Sequence, residues 1–116
     1  MRVTETPNAV MTTYASPTLG SEALSVWRVE MKATAQGPVH VVDSEQVWTG
    51  LSGHATITVD GAEVELKEGV AVVLPKGVER QVKATGEFTA IVAGYGHAKV
   101  SVPGEDTDRG TPPWIS

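Results

Sequence analysis

Cysteine is absent from this 116-residue chain. No disulfide framework, thiolate metal site or cysteine nucleophile is therefore available. A chain of this length can bury a core without such staples, and the lack of thiols suits a reducing compartment. Positive charge is scarce too: nine Lys and Arg stand against 14 Asp and Glu, for a formal charge of −5. The basic residues are scattered, so the concentrated cationic surface of a sequence-independent nucleic-acid binder is missing. No basic amphipathic stretch marks a membrane surface, and no apolar run approaches membrane-spanning length. The opening MRVTETPNAV lacks the apolar core of a signal peptide. The expectation is a cytoplasmic protein whose partner is a small molecule or another protein chain, with no nucleic acid and no membrane.

Catalytic signatures are missing as well. G-x-S-x-G, the P-loop and the dinucleotide fingerprint are absent, which removes most hydrolase, kinase and nicotinamide-enzyme readings. No helical period is sustained anywhere. Short strands instead recur at intervals of about ten residues, as an all-β sandwich or barrel requires.

What is present is best seen between Gly37 and Arg80. ATITVDGAEVELKEG (55–69) alternates about Asp60-Gly61, and Asp-Gly between two alternating runs signals a tight hairpin whose turn positions both take positive φ. Residues 23–32, ALSVWRVEMK, alternate as a strand with Trp27, Val29 and Met31 on the core face and Arg28 and Glu30 on the other. The size is that of one domain over residues 1–116, with a barrel core at 24–100. An N-terminal edge strand is expected within 8–15, centred on Val10–Tyr14, and a polar, proline-rich tail at 103–116. Trp114 in that tail calls for burial, so the tail should fold back on the barrel or on a partner.

Two spacings in the central stretch carry a resemblance. His40, Gln46 and Gly53 fall on the first motif of the cupin superfamily, G-x5-H-x-H-x3-4-E-x6-G. Gly69, Pro75 and Gly77 fall on the second, G-x5-P-x-G-x2-H-x3-N. The chain thus resembles a small single-domain cupin, and the resemblance implies an antiparallel double-stranded β-helix, or jelly-roll barrel. Val42 stands where the second His belongs, Arg80 at the third, Gln46 at the Glu, Ala84 at the Asn and Thr34 at the leading Gly. The frame is kept while the metal-binding motif is degenerate. The resemblance also implies a homodimer, and likens the chain to short bacterial cupins of accessory or secondary metabolism.

Strand alternation turns the motifs into a pocket. If Gln46 points inward as its cupin counterpart does, Trp48 and Gly50 share its face, with Trp48 as a wall and Gly50 as room for a ligand. Val42 should sit beside His40, and Val82 beside Arg80. An inward Arg80 replaces a metal's charge, because two cations cannot share one small site of low dielectric. It then needs an anionic partner, either Asp43, Glu45, Glu79 or the ligand; otherwise its head lies in water at the barrel mouth. His40 has three readings: a loop-bonding structural residue, a proton shuttle with a pKa near ~6.5, or a metal ligand. No cofactor is expected. A divalent metal, if bound, would have only His40 and Gln46. His54, Glu63 and Glu65 read as surface residues, His97 is open to either face, and Tyr14 and Tyr95 read as packing residues.

Three functions fit this pattern. One is a metal-independent or weakly metal-dependent isomerase or cyclase acting on a small anionic or aromatic metabolite, with His40 and Arg80 catalytic and Val42, Gln46, Trp48, Gly50 and Val82 against the ligand. The second is a non-catalytic small-molecule-binding cupin. The third is a structural dimer whose barrel is filled by its own side chains.

Overall fold

The computed structural model describes residues 1–116. Eleven strands make up the fold: β1 (Arg2–Glu5), β2 (Val10–Ala15), β3 (Leu24–Met31), β4 (His40–Val42), β5 (Gln46–Ser52), β6 (His54–Val59), β7 (Ala62–Lys67), β8 (Ala71–Leu74), β9 (Glu79–Ala84), β10 (Phe88–Tyr95) and β11 (Val100–Ser101). They pair antiparallel into two sheets, ordered β1-β2-β3-β10-β5-β8 and β11-β4-β9-β6-β7. The two inner faces meet in a jelly-roll barrel. Its turns obey the expected chemistry. Asp60 and Gly61 join β6 to β7 with φ of 45° and 84°, a two-residue loop in which both residues are left-handed. Thr34, at the position where the family pattern has Gly, also holds a positive φ of 67°. The turn geometry has been kept with a β-branched residue, at a cost of about 1–2 kcal/mol.

Alternation decides the core. Trp27, Val29 and Met31 of β3 are buried as their spacing predicts, while Arg28 and Glu30 pair on the outer face. Gln46 and Trp48 point inward from β5, facing Val42 of β4 and Arg80 and Val82 of β9. Buried Ala55, Ile57, Leu66, Leu74, Ala84, Phe88, Ala90 and Val92 close one half of the barrel. The other half stays open inside.

The two ends of the chain depart from the sequence reading. The edge strand expected within 8–15 is not an edge. β2 lies between β1 and β3, with Arg2 paired to Thr13 and Glu5 to Val10. RVTE is too short and too polar to announce itself as a strand. It is recruited by the hairpin turn at residues 6–9, where Thr6 Oγ accepts from the backbone N–H groups of Asn8 and Ala9. The short strands β4 and β11 were likewise not legible as separate elements.

The tail folds back on this chain's own barrel. Ile115 is only 2% exposed, and Trp114 packs against the core. Thr13, fully buried in β2, donates its hydroxyl to the Trp114 carbonyl at 2.7 Å. Thr18 donates both its amide and its hydroxyl to the Ser116 carbonyl, at 3.0 and 2.7 Å. A tail pinned by its carbonyls and by one buried aliphatic side chain belongs to the cooperative fold. Ile115→Ala is therefore expected to lower unfolding stability by about 2–5 kcal/mol, the range for a buried Ile cut to Ala. Urea titration of both proteins checks this; a loss within about 0.5 kcal/mol, the ordinary surface range, would place the tail outside the core.

Candidate functional site

The open half of the barrel holds a cavity of about 440 Å³. Its walls are mostly apolar: Trp27, Val29 and Met31 from β3, Trp48 from β5, Val42 from β4 and Val82 from β9. The turn at residues 6–9 and the tail at residues 109–115 also line it, so both chain ends help enclose the space. All three tryptophans of the chain, Trp27, Trp48 and Trp114, border this one cavity. Two polar side chains on the barrel wall interrupt the apolar lining, His40 and Gln46.

His40 is half-buried, and its Nδ1 lies 3.0 Å from the Pro38 carbonyl oxygen. A carbonyl only accepts, so Nδ1 carries hydrogen and donates. In the neutral ring this leaves Nε2 as an acceptor with no protein partner. Burial holds the His40 pKa below its ordinary value; the Pro38 hydrogen bond opposes the shift, and the charge of Arg80 adds to it. The site therefore presents a neutral imidazole at neutral pH.

Gln46 is oriented from behind. Its Oε1 accepts from the Trp48 indole Nε1–H at 3.2 Å and from Arg80 Nη1 at 3.4 Å. With the amide oxygen occupied twice, the NH2 group makes no hydrogen bond to protein and borders the cavity, on a side chain that is 3% exposed. Arg80 itself is 1% exposed. Its Nε donates to the Val78 carbonyl at 3.3 Å and its Nη2 to the Pro75 carbonyl at 3.1 Å. The guanidinium is thus satisfied by one amide and two backbone carbonyls. Burial pushes its pKa down to about 10, opposed by the charge of Asp60, so it stays cationic at neutral pH.

These positions confirm the inward geometry and correct two details of it. Arg80 does point inward, but its hydrogen-bond acceptors are not Asp43, Glu45 or Glu79, and it stands behind Gln46 instead of on the cavity wall. The β-turn of Pro75 to Val78 supplies carbonyls where a carboxylate was expected. Gly50 is not on the cavity wall either. Its amide donates to Val70 O and its carbonyl accepts from Gly69 N, and a Cβ there would sit 2.1 Å from Lys67 O. Glycine is needed at 50 because β5 crosses the β7–β8 connection backbone to backbone, and no ligand space results. His40, Val42, Gln46, Trp48 and Val82 do meet around one cavity. Sequence reasoning missed the lid at residues 6–9 and 109–115; Trp114 after Pro112-Pro113 was its only signal. His54, Glu63 and Glu65 are exposed as expected; His97, open to either face from the sequence, is exposed too, and so are Tyr14 and Tyr95, which were expected to pack.

A divalent metal is the cofactor that the cupin frame brings to mind, and the residues do not fit it. No three His, Cys, Asp or Glu side chains come together anywhere in the chain. At the motif positions the donors are one imidazole and one amide whose oxygen is already held by a cation, a set too poor for zinc or for non-haem iron.

Comparison with known proteins agrees with the architecture. A family model described as a cupin domain matches residues 27–94. No curated protein matches the chain. Among solved structures, salicylate 1,2-dioxygenase from Pseudoaminobacter salicylatoxidans, studied as adducts with gentisate, is similar with a TM-score of 0.76 at 16% identity. The match covers 90% of this chain but 31% of that one, so this chain spans about a third of that enzyme's length. An RmlC-like cupin from Shewanella frigidimarina is similar at 19% identity and a TM-score of 0.70, covering 81% of this chain and 82% of that one. A Streptococcus pyogenes protein of unknown function is similar at 21% identity and a TM-score of 0.67, covering 78% of this chain and 76% of that one. At such identities the likeness is one of fold, and activity does not travel with it.

The state of His40 has a consequence for stability. Its folded pKa lies below the unfolded value, so the unfolded chain binds more protons in the window between them. Stability is full above about pH 6.5 and declines as pH falls through that value toward the lowered one. His40→Gln should flatten this part of the slope. Urea unfolding at neutral pH and near about pH 5 measures it; an unchanged slope in the variant would show that His40 is not held neutral.

Proposed function

The chain belongs to the cupin family, and from that membership and the cavity we propose that it is a small-molecule-binding cupin with a metal-independent proton-transfer activity of the isomerase or cyclase type. The observation that carries the reading is the cavity of about 440 Å³, whose apolar barrel wall is broken by two side chains, His40 and Gln46, that each keep one polar atom without a protein partner. Pockets of this size and polarity suit small organic ligands. A barrel filled by its own side chains would not leave such a space, which speaks against the structural-dimer reading.

The chemistry follows from the two polar groups. Neutral His40 takes a proton from the ligand at Nε2 and becomes an imidazolium. The electron pair left behind is delocalised onto a ligand oxygen, which accepts a hydrogen bond from the Gln46 amide NH2. Return of the proton to a different ligand atom completes an isomerisation, and no oxidant or reductant is required. Burial disfavours the imidazolium, so the proton is held briefly. The tryptophans make the pocket hospitable to planar ligands, and the segments at 6–9 and 109–115 narrow its contact with water.

Aromatic ketones test both halves of the proposal. On addition of meta-hydroxyacetophenone, the indole N–H signals of Trp27, Trp48 and Trp114 should shift in an NMR spectrum. The ketone's methyl hydrogens should also exchange with deuterium from the solvent faster than in buffer. His40→Ala should slow that exchange on the order of 10²–10⁴-fold while the indole shifts persist. Binding without accelerated exchange would leave a non-catalytic binding cupin, and no indole shift at all would contradict a ligand-binding cavity.

A further inference from the structure

We propose that the cavity selects an uncharged carbonyl compound, whose oxygen is held by the amide NH2 of Gln46, and that Arg80 is the positioning residue that sets this selectivity from outside the cavity. The inference rests on the reading of the cavity as a binding site and names the class of ligand it takes.

Arg80 is a buried cation that donates hydrogen bonds to neutral groups alone. One isosteric change, Gln46→Glu, would give it a carboxylate at the same position, and charge-assisted bonds are roughly twice as strong as neutral ones. A carboxylate in place of Gln46 could also still accept from the Trp48 indole. Everything that Gln46 does for the fold, a Glu would do better. What a Glu cannot do is donate.

The amide nitrogen is the one atom that distinguishes the two residues, and it is the one with no protein partner. On a side chain only 3% exposed, the NH2 group opens on the cavity and not on bulk solvent. It borders a cavity whose barrel wall is mostly apolar, and no protein acceptor lies within hydrogen-bond range of it. A ligand oxygen is the partner that resolves this. Arg80 and Trp48 prevent the amide from turning its oxygen inward, because both hold Oε1 as donors. Arg80 adds polarisation: a cation on the amide oxygen makes the N–H groups better donors, and its field favours negative charge growing on the ligand oxygen.

The same geometry excludes a carboxylate ligand. Burying a carboxylate costs several kcal/mol unless multiple donors replace its water. This wall offers one amide group, and Arg80 cannot supply its fork because Gln46 stands in front of it. The arginine that does border the cavity, Arg109, is bonded to Glu105 through Nε at 3.0 Å and Nη2 at 2.7 Å. The cavity therefore accepts negative charge as it develops on a carbonyl oxygen, and not as a full charge carried in by the ligand. Of the anionic or aromatic metabolite expected from the sequence, the aromatic alternative is the one that remains.

Three probes of nearly equal shape separate these ideas by calorimetry or NMR titration on the full-length protein. Meta-hydroxyacetophenone carries the carbonyl, meta-ethylphenol replaces it with a methylene, and meta-hydroxybenzoate replaces it with a carboxylate. The ketone should bind on the order of tenfold more tightly than meta-ethylphenol, as one neutral hydrogen bond in a desolvated site provides, and more tightly than the benzoate. Gln46→Glu should abolish the ketone's advantage and raise resistance to urea. Arg80→Met should reduce the ketone-to-ethylphenol ratio, and Arg80→Lys should restore part of it; a purely structural role for Arg80 would weaken both probes alike and leave the ratio unchanged. Should either Arg80 variant fail to fold, the wild-type comparison decides the ligand class alone. Equal binding of ketone and ethylphenol would overturn the inference while sparing the binding site, tighter benzoate binding would overturn the uncharged class, and no binding of any probe would overturn the site itself.

Discussion

A guanidinium enclosed by protein with a neutral amide and two carbonyls as its acceptors is the constraint around which this barrel is arranged. Burying an ion costs several kcal/mol unless its donors are met, and Arg80 meets that demand with Gln46, Val78 and Pro75. The turn after β8 must therefore present its carbonyls inward, and Gln46 must present its oxygen backward. Both requirements propagate. Once Gln46 faces Arg80 with its oxygen, its nitrogen is free for the cavity. Once Arg80 is charged behind the wall, a proton on His40 becomes less favourable. The polarity of the barrel wall, one acceptor and one donor among apolar side chains, is thus tuned by a residue that does not line the cavity.

The apolar space has its own supports. Half of the inward-facing side chains pack against each other and provide the stability that lets the remainder stay apart. Gly50 lets β5 cross the β7–β8 connection at van der Waals range, which fixes where Gln46 and Trp48 sit along their strand. The lid comes from the two chain ends, tied together when Thr13 of β2 and Thr18 beyond it hold the carbonyls of Trp114 and Ser116. Enclosure of the cavity is therefore a property of the whole chain and not of the motif stretch alone.

Much of the fold was legible in the sequence because its signals are local. The Asp60-Gly61 turn, the alternation of Trp27, Val29 and Met31, and the Gly69–Pro75–Gly77 frame each follow from a few adjacent residues. The candidate site was legible where strand alternation sufficed, as for Val42, Gln46, Trp48 and Val82. It failed where the answer depends on distant chain. Gly50 looked like ligand space because nothing near it in sequence reveals the backbone of Lys67. The partners of Arg80 were sought among carboxylates because charge is visible in a sequence, whereas the direction of a backbone carbonyl is not. RVTE at the N-terminus could not be read as a strand, since its pairing is created by a hairpin turn and a sheet that lie beyond it.

The family frame without the family's usual donors is what makes this chain distinct. A stoichiometric metal assay on protein purified without chelator tests that directly. With Arg80 charged at the position of a ligand and Gln46 bonded to it, transition-metal content should fall far below one ion per chain, because a second cation beside the guanidinium would face strong repulsion in a site of low dielectric. One tightly held metal ion per chain would contradict the arrangement and would mean that Arg80 does not stand in for the metal's charge.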